Sequence, residues 1–199
     1  MKKSKIIIVE GPQGTGKTTL SNFFRENLPG ANLYRLSGQK DKTLTGKKYS
    51  VIMYNALIEY LQEMQVVPMD MIFDRTFFTE EVYSRLGYKE YSFSDAYQKL
   101  VEKLNALDYD IYYISLYLKN IELFRERLDR ESHHNYQSFS LENSFNQQKV
   151  YKDIAEELEK NTQINVIRME MDDFEIAYDR IRERFGIEKP KEKKLERKP

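Results

Sequence analysis

The chain has 199 residues, with 32 Lys and Arg balanced by 32 Asp and Glu, and no cysteine. That length fits one ordinary domain with a sizeable core, and the balanced charge supplies no global field for DNA, RNA or an anionic membrane. Without cysteine there are no disulfides or thiolate metal sites, which suits a reducing compartment. The basic start Met1-Lys2-Lys3-Ser4-Lys5 leads into an apolar run of only Ile6 to Val9, far short of a signal core or a membrane span. A soluble, cytoplasmic protein is the expectation.

Lys5 to Glu10 reads as a central parallel strand, because its β-branched residues are apolar on both faces. Gly11-Pro12-Gln13-Gly14-Thr15-Gly16-Lys17-Thr18 follows and matches G-x-x-x-x-G-K-[ST], the phosphate-binding P-loop. In such a loop the glycines let the backbone turn its N–H groups onto phosphate oxygens; Lys17 reaches the β- and γ-phosphates and the Thr18 hydroxyl ligands Mg²⁺. A helix opening near Lys17 adds the positive end of its dipole to the same anion. Gly11, Gln13, Gly14, Thr15, Gly16, Lys17, Thr18 and Thr19 are therefore the expected ATP-binding residues. The flanking strand and helix separate this motif from a chance Gly-rich turn.

Thr18 to Leu28 places Leu20, Phe23, Phe24 and Leu28 at helical spacing before Pro29-Gly30 stops it. Ala31 to Leu36 forms a second, less apolar strand, and the polar stretch Ser37 to Lys48 reads as a mobile loop. Tyr49 to Gln65 is a helix with Tyr54, Leu57, Ile58, Leu61 and Met64 on one face, broken by Pro68. Met69 to Phe73 is a buried strand ending in Asp74-Arg75-Thr76, so charged side chains emerge at a carboxyl edge, where ligands gather in open α/β sheets. Two helices follow, Thr76 to Leu86 and Phe93 to Leu107.

Asp110 to Leu118 is the next interior strand, after which Asn120 can cap a helix running to about Arg130. Glu131 to Ser140 is a polar loop, Leu141 to Leu158 a helix and Gln163 to Glu170 the last strand. The adjacent His133 and His134 point in different directions and have no cysteine partner, which favours exposed loop residues over a metal site. Asp172-x-x-Glu175 resembles a capping box opening a final helix to Phe185. From Glu188 the chain is nearly all Lys, Glu, Arg and Pro, so residues 188–199 read as a disordered tail. Alternating strands and helices predict an α/β domain over residues 1–187, with five parallel strands and helices on both faces.

Four separated segments together resemble the thymidylate kinase and deoxynucleoside kinase group of P-loop kinases. Glu10 to Thr19 is similar to its E-G-x-x-G-x-G-K-[ST]-T opening, and Asp74-Arg75-Thr76 to its D-R-[YST] motif. Arg125-Glu126-Arg127-Leu128-Asp129-Arg130 resembles the arginine-bearing helix that leads into a small lid, here about 125–140. Glu142-x-x-Phe145-x-x-x-x-Val150-Tyr151 is similar to the helix after the lid. The resemblance implies a P-loop kinase fold in which Lys17 and Thr18 serve ATP and Mg²⁺. It places Asp74 beside the metal, Arg75 on the phosphoryl acceptor, and Arg125 and Arg130, with Arg127 as a further candidate, on the transferring phosphoryl group. It also implies a homodimer by analogy.

The chain departs from the group after its second strand. Thymidylate kinases carry Arg-Glu-Pro there, whereas this chain has Arg35-Leu36-Ser37, and the glutamate base of deoxynucleoside kinases is missing as well. A nucleoside hydroxyl benefits from a positioned base, while an ionised monophosphate needs positive charge more. Arg35 without its carboxylate thus favours a monophosphate acceptor, although Asp41, Glu80 or Asp74 could serve as a base. Phe77, Phe78 and Tyr83 are candidates to stack on the acceptor base, or else belong to the core. The leading reading is a nucleotide kinase moving the γ-phosphoryl of ATP to a (deoxy)nucleoside monophosphate, with no nucleic-acid polymer or membrane as partner. The alternatives are a deoxynucleoside kinase, a nucleotide-switched regulatory module, and a kinase for a polynucleotide end or a non-nucleotide metabolite. No N-K-x-D motif supports a GTPase.

Overall fold

Ile6 to Val9 leave no polar face for water, and in the computed structural model they form the middle of the sheet. The structure describes residues 3–131 and 140–189. Strand β1 (Lys5–Glu10) lies between β3 (Met71–Asp74) and β4 (Asp110–Tyr117); β2 (Asn32–Arg35) pairs with β3, and β5 (Asn165–Glu170) with β4. All pairings are parallel, giving the order β2-β3-β1-β4-β5. The expected five-stranded α/β architecture is what the chain adopts.

Alternation along the strands assigns each side chain to one of two cores. Ile6 and Ile8, with Met71, Phe73 and Tyr113, pack beneath α2 (Leu44–Glu63), α3 (Phe77–Arg85), α4 (Ser94–Asn105) and α6 (Leu141–Asn161). Ile7 and Val9, with Ile72, Ile114 and Leu116, pack beneath α1 (Lys17–Asn27), α5 (Ile121–Glu131) and α7 (Phe174–Phe185). Burying an aliphatic side chain of this size contributes about 1.5–3 kcal/mol, so β1, which feeds both cores, fixes the point from which the P-loop departs.

Several boundaries differ from those expected. Helix α2 begins at Leu44, five residues before Tyr49, because the Thr43 hydroxyl caps it by accepting from Thr45 N, while Asp41 Oδ1 accepts from Thr43 N. Helix α7 is capped by Asp173, whose Oδ1 accepts from Glu175 N and Ile176 N. Asp172 instead accepts from Lys119 N and Asn120 N, tying the chain after β5 to the chain after β4. Asn120 does cap α5, its Oδ1 accepting from Leu123 N. Residues 132–139 of the expected lid, His133 and His134 among them, lie outside the described residues, as does the tail beyond Lys189. No described helix is long and apolar enough to cross a membrane.

Candidate active site

The carboxyl ends of β1, β2 and β3 meet in one place. Beyond β1 the P-loop closes on itself: Thr15 Oγ1 and Lys17 Nζ both donate to the Pro12 carbonyl, at 2.8 and 2.6 Å. Gly16, in the left-handed region at φ 87°, is the N-cap of α1, so the helix starts at Lys17 as the motif requires. The far side of this turn rests on α7, where a Cβ on Gly16 would lie 2.9 Å from the Phe174 ring.

At the end of β3, Asp74 Oδ2 accepts a 2.7 Å hydrogen bond from the Thr18 hydroxyl. Asp74 is buried, and among the described residues its second oxygen, Oδ1, has no hydrogen-bond partner. Mg²⁺ takes oxygen ligands and is usually held by one or two carboxylates together with substrate phosphates, rather than by a protein cage. A hydroxyl and a carboxylate with a spare oxygen fit that pattern, and the described residues contain no group of three or more His, Cys, Asp or Glu that would form a dedicated cage.

Two arginines flank this pair. Arg35 lies opposite Asp74 in the β2–β3 register; its Nε is 4.0 Å from Asp74 Oδ2 and its guanidinium donates to Asn22 Oδ1 on α1. Arg75 sends Nη2 to Gln13 Oε1 of the P-loop at 3.0 Å. Its φ is 72°, and it is the one described non-glycine residue with a positive φ. The structure thus brings Gln13, Lys17, Thr18, Arg35, Asp74 and Arg75 together.

Other expected residues lie elsewhere. Phe78 is fully buried, 4.5 Å from the Phe77 ring and 4.7 Å from the Tyr113 ring, so it belongs to the core and cannot stack on an acceptor base. Tyr83 is partly exposed, near Tyr88 and Gly38. Arg125 and Arg130 are exposed and pair with Glu122 and Glu126 on their own helix. Arg127 is the buried arginine of α5. It donates to the Met171 carbonyl at 2.9 Å, stacks 4.5 Å from the Phe174 ring centroid, and passes beside Gly14.

Two groups escaped the reading of the sequence. Glu10 is fully buried at the end of β1: Oε1 accepts from Thr76 N at 2.6 Å and from Thr76 Oγ1 at 3.2 Å, and Oε2 accepts from Thr79 Oγ1 at 2.7 Å. Burial pushes its carboxyl up to about 7, against hydrogen bonds from Thr79 and Thr76 and the Arg75 and Lys17 charges that draw it down. Its signal was a charged residue closing an apolar strand. The second group is a buried ion pair, Lys89 Nζ to Glu80 Oε1 at 2.9 Å, that grips the loop after β2. Glu80 Oε2 accepts from Gln39 N at 3.1 Å, Lys89 donates to the Gln39 carbonyl, and Tyr91 OH donates to Glu80. No sequence pattern announces it.

No protein-family model matches the chain, and no curated protein sequence does. Solved structures do. The thymidylate kinase from Candida albicans superposes with a TM-score of 0.65 at 13% identity, covering 92% of this chain and 93% of that one. Deoxyadenosine kinase from M. mycoides, with dCMP and dCDP bound, gives 0.59 at 17% identity over 92% and 98% of the two chains. The same enzyme with dATP gives 0.58 at 16% identity over 92% and 99%. At such identities the likeness is one of architecture: the chain has the α/β P-loop kinase fold that thymidylate and deoxynucleoside kinases share.

Proposed function

We propose that the protein is a nucleotide kinase that transfers the γ-phosphoryl group of ATP to a (deoxy)nucleoside monophosphate. The observation that carries this reading is the pair of arginines, Arg35 and Arg75, on either side of the Thr18–Asp74 hydrogen bond at the mouth of the P-loop. In the reaction an acceptor phosphate oxygen forms a bond to the γ-phosphorus as the bond to the β,γ-bridging oxygen breaks, leaving ADP and a nucleoside diphosphate. The charge on the transferring group is spread over its oxygens, so positioned cations and N–H donors supply most of what a protein can contribute. Lys17 and the P-loop amides serve the donor phosphates. Arg75, with its planar fork, serves the acceptor phosphate, and Arg35 adds charge beside it. Mg²⁺ bound through Thr18 and Asp74 would neutralise phosphate charge and fix the geometry of the donor.

The carboxylates near the acceptor side favour a monophosphate over a nucleoside. Glu80 is engaged by Lys89, Gln39 and Tyr91, Asp41 by Thr43, and Asp74 by Thr18. Glu80 is thereby engaged through both oxygens, and the spare Oδ1 of Asp74 is the atom offered to Mg²⁺ rather than to a hydroxyl. The nucleoside reading draws on the deoxyadenosine kinase neighbours and remains the runner-up. Purified protein with γ-labelled ATP, Mg²⁺ and a panel of nucleosides and monophosphates separates the two by product. A charge-assisted contact contributes about 1.5–3 kcal/mol, so Arg75→Ala should raise acceptor KM on the order of tenfold or more with ATP affinity little changed. Phosphorylation of nucleosides alone, or wild-type acceptor kinetics in both Arg75→Ala and Arg35→Ala, would overturn the proposal.

A further inference from the structure

Arg75 stands in a backbone conformation that a side chain of its size rarely adopts, since the left-handed region brings Cβ against the carbonyl oxygen. Such a conformation persists where the surroundings over-determine it, and here the restraints can be named. On its own amide, Arg75 N donates to the Val9 carbonyl at 3.1 Å, holding the residue to β1. On the next peptide, Thr76 N donates to Glu10 Oε1, and the Thr76 carbonyl accepts a long 3.4 Å contact from Tyr54 OH. The first turn of α3 is held to the same carboxylate through Thr79 Oγ1, which also lies 3.0 Å from Tyr151 OH. Glu10, Thr76, Thr79, Tyr54 and Tyr151 are all buried.

The choice of residue at position 10 is informative. The strand before it is Ile6-Ile7-Ile8-Val9, and a fifth aliphatic would continue the core without the cost of burying a carboxyl group. An aliphatic there would, however, leave the Thr76 amide without its acceptor and take from the Thr79 hydroxyl its 2.7 Å partner. Glu10 has two oxygens, and both are spent on the segment that follows Arg75.

We propose that Glu10 is a positioning residue for the acceptor arginine: its carboxyl group fixes Thr76 and Thr79 and thereby holds Arg75 in the left-handed conformation that lays its guanidinium along the P-loop at Gln13. The proposal rests on the reading of Arg75 as the acceptor-phosphate ligand. Glu10 does not touch the reactants; it acts through the turn. A glutamine can replace it in kind, because the amide oxygen accepts from Thr76 N while the amide nitrogen donates to Thr79 Oγ1.

The test uses the full-length protein and three variants, Glu10→Gln, Glu10→Ala and Thr79→Val. Amide hydrogen exchange at Thr76, referenced to Ile7 in the centre of the sheet, reports the clamp; calorimetric ATP affinity and acceptor KM report its use. In Glu10→Ala, Thr76 exchange should quicken about a hundredfold relative to Ile7, and acceptor KM should rise tenfold or more with ATP affinity within twofold of wild type. Glu10→Gln should hold both within about threefold. Thr79→Val, a smaller perturbation, should shift both in the direction of Glu10→Ala, and it decides the matter if Glu10→Ala does not fold.

A Thr76 amide as protected as in wild type overturns the proposal, as does an equal loss of ATP affinity and acceptor affinity. So does a Glu10→Gln protein as defective as Glu10→Ala, because hydrogen bonding would then not be what Glu10 provides. Failure of the functional reading looks different: wild type itself would show no turnover with any monophosphate, while Thr76 exchange would still respond to Glu10→Ala.

Discussion

Gly11 offers the sharpest quantitative test of how the P-loop is built into the sheet. It leaves β1 at φ 149°, and a Cβ placed on it would lie 2.8 Å from the Leu116 carbonyl oxygen, 3.0 Å from Thr15 Oγ1 and 3.1 Å from Leu116 Cβ. The Leu116 carbonyl is backbone near the end of β4, where the strand is still paired with β5 through Met169, so it cannot swing aside as a flexible side chain would. Gly11→Ala therefore combines overpacking, typically about 1–3 kcal/mol, with a backbone region that L-residues avoid, also about 1–3 kcal/mol. Partial relaxation shares the strain, and the expected loss is about 3 kcal/mol, a large fraction of the roughly 5–15 kcal/mol available to a domain. For a chain of this size that corresponds to a fall in Tm of about 6–12 °C, read by calorimetry or far-UV circular dichroism. ATP affinity should fall with it, because the retreat of Leu116 or of residue 11 carries Thr15 along. A Tm within about 2 °C of wild type, with unchanged ATP affinity, would refute the argument that β4 confines this turn.

Lys89→Met should destabilise by about 3 kcal/mol or more, since it leaves Glu80 buried beside an apolar side chain, and Lys89→Met with Glu80→Gln should recover part of that loss. Denaturant midpoints measure both, and an additive double variant would show that the two residues are not coupled. The carboxyl of Glu10, raised by burial to about 7, gives stability that is fully present below its unfolded value near 4.5 and is lost as pH climbs through about 7. The difference between wild type and Glu10→Gln should therefore change by about 3 kcal/mol between pH 4.5 and 8, and parallel stability curves would contradict it. Phe78→Ala should cost about 3–5 kcal/mol of stability, as expected for a buried ring. A raised acceptor KM at unchanged stability would instead return Phe78 to the acceptor site.

Much of this arrangement is legible in the chain because it is carried by local patterns. The apolar run before the P-loop, the strand ending in Asp74-Arg75, and the order of strands and helices follow from periodicity and from one motif. Helix α2 shows where such reading stops. Gly46 is a poor helix former within a polar stretch, which suggested a loop, yet the helix needs glycine there because the Asp41 carbonyl oxygen lies 2.2 Å from where a Cβ would sit. That contact is local, between residues five apart where the chain enters the helix, yet it leaves no trace in apolar periodicity. The arginines of α5 were readable in part: Arg127 falls three residues after Phe124 and beside Leu128, on the buried face, whereas Arg125 and Arg130 do not. The resemblance named Arg125 and Arg130 with Arg127 as a further candidate, and helical spacing adds which of the three faces the core. The Lys89–Glu80 grip on Gln39 joins side chains from α3 and the segment after it to the loop after β2, and only the folded chain reveals it.

Helix α7, the last of the described helices, closes over α1. Tyr178 stacks on Phe23 with ring centroids 4.5 Å apart, Phe185 meets Phe24 at 4.9 Å, Arg182 lies over Phe23, and Phe174 backs Gly16. During synthesis the P-loop emerges from the ribosome before any of these partners exists, and β1 must wait for β3 and β4 to be made. At roughly 5–20 residues per second, the nascent phosphate loop spends on the order of ten seconds or more without its buttress. A ribosome stalled before α7 would therefore present the P-loop sequence without the ring that backs Gly16.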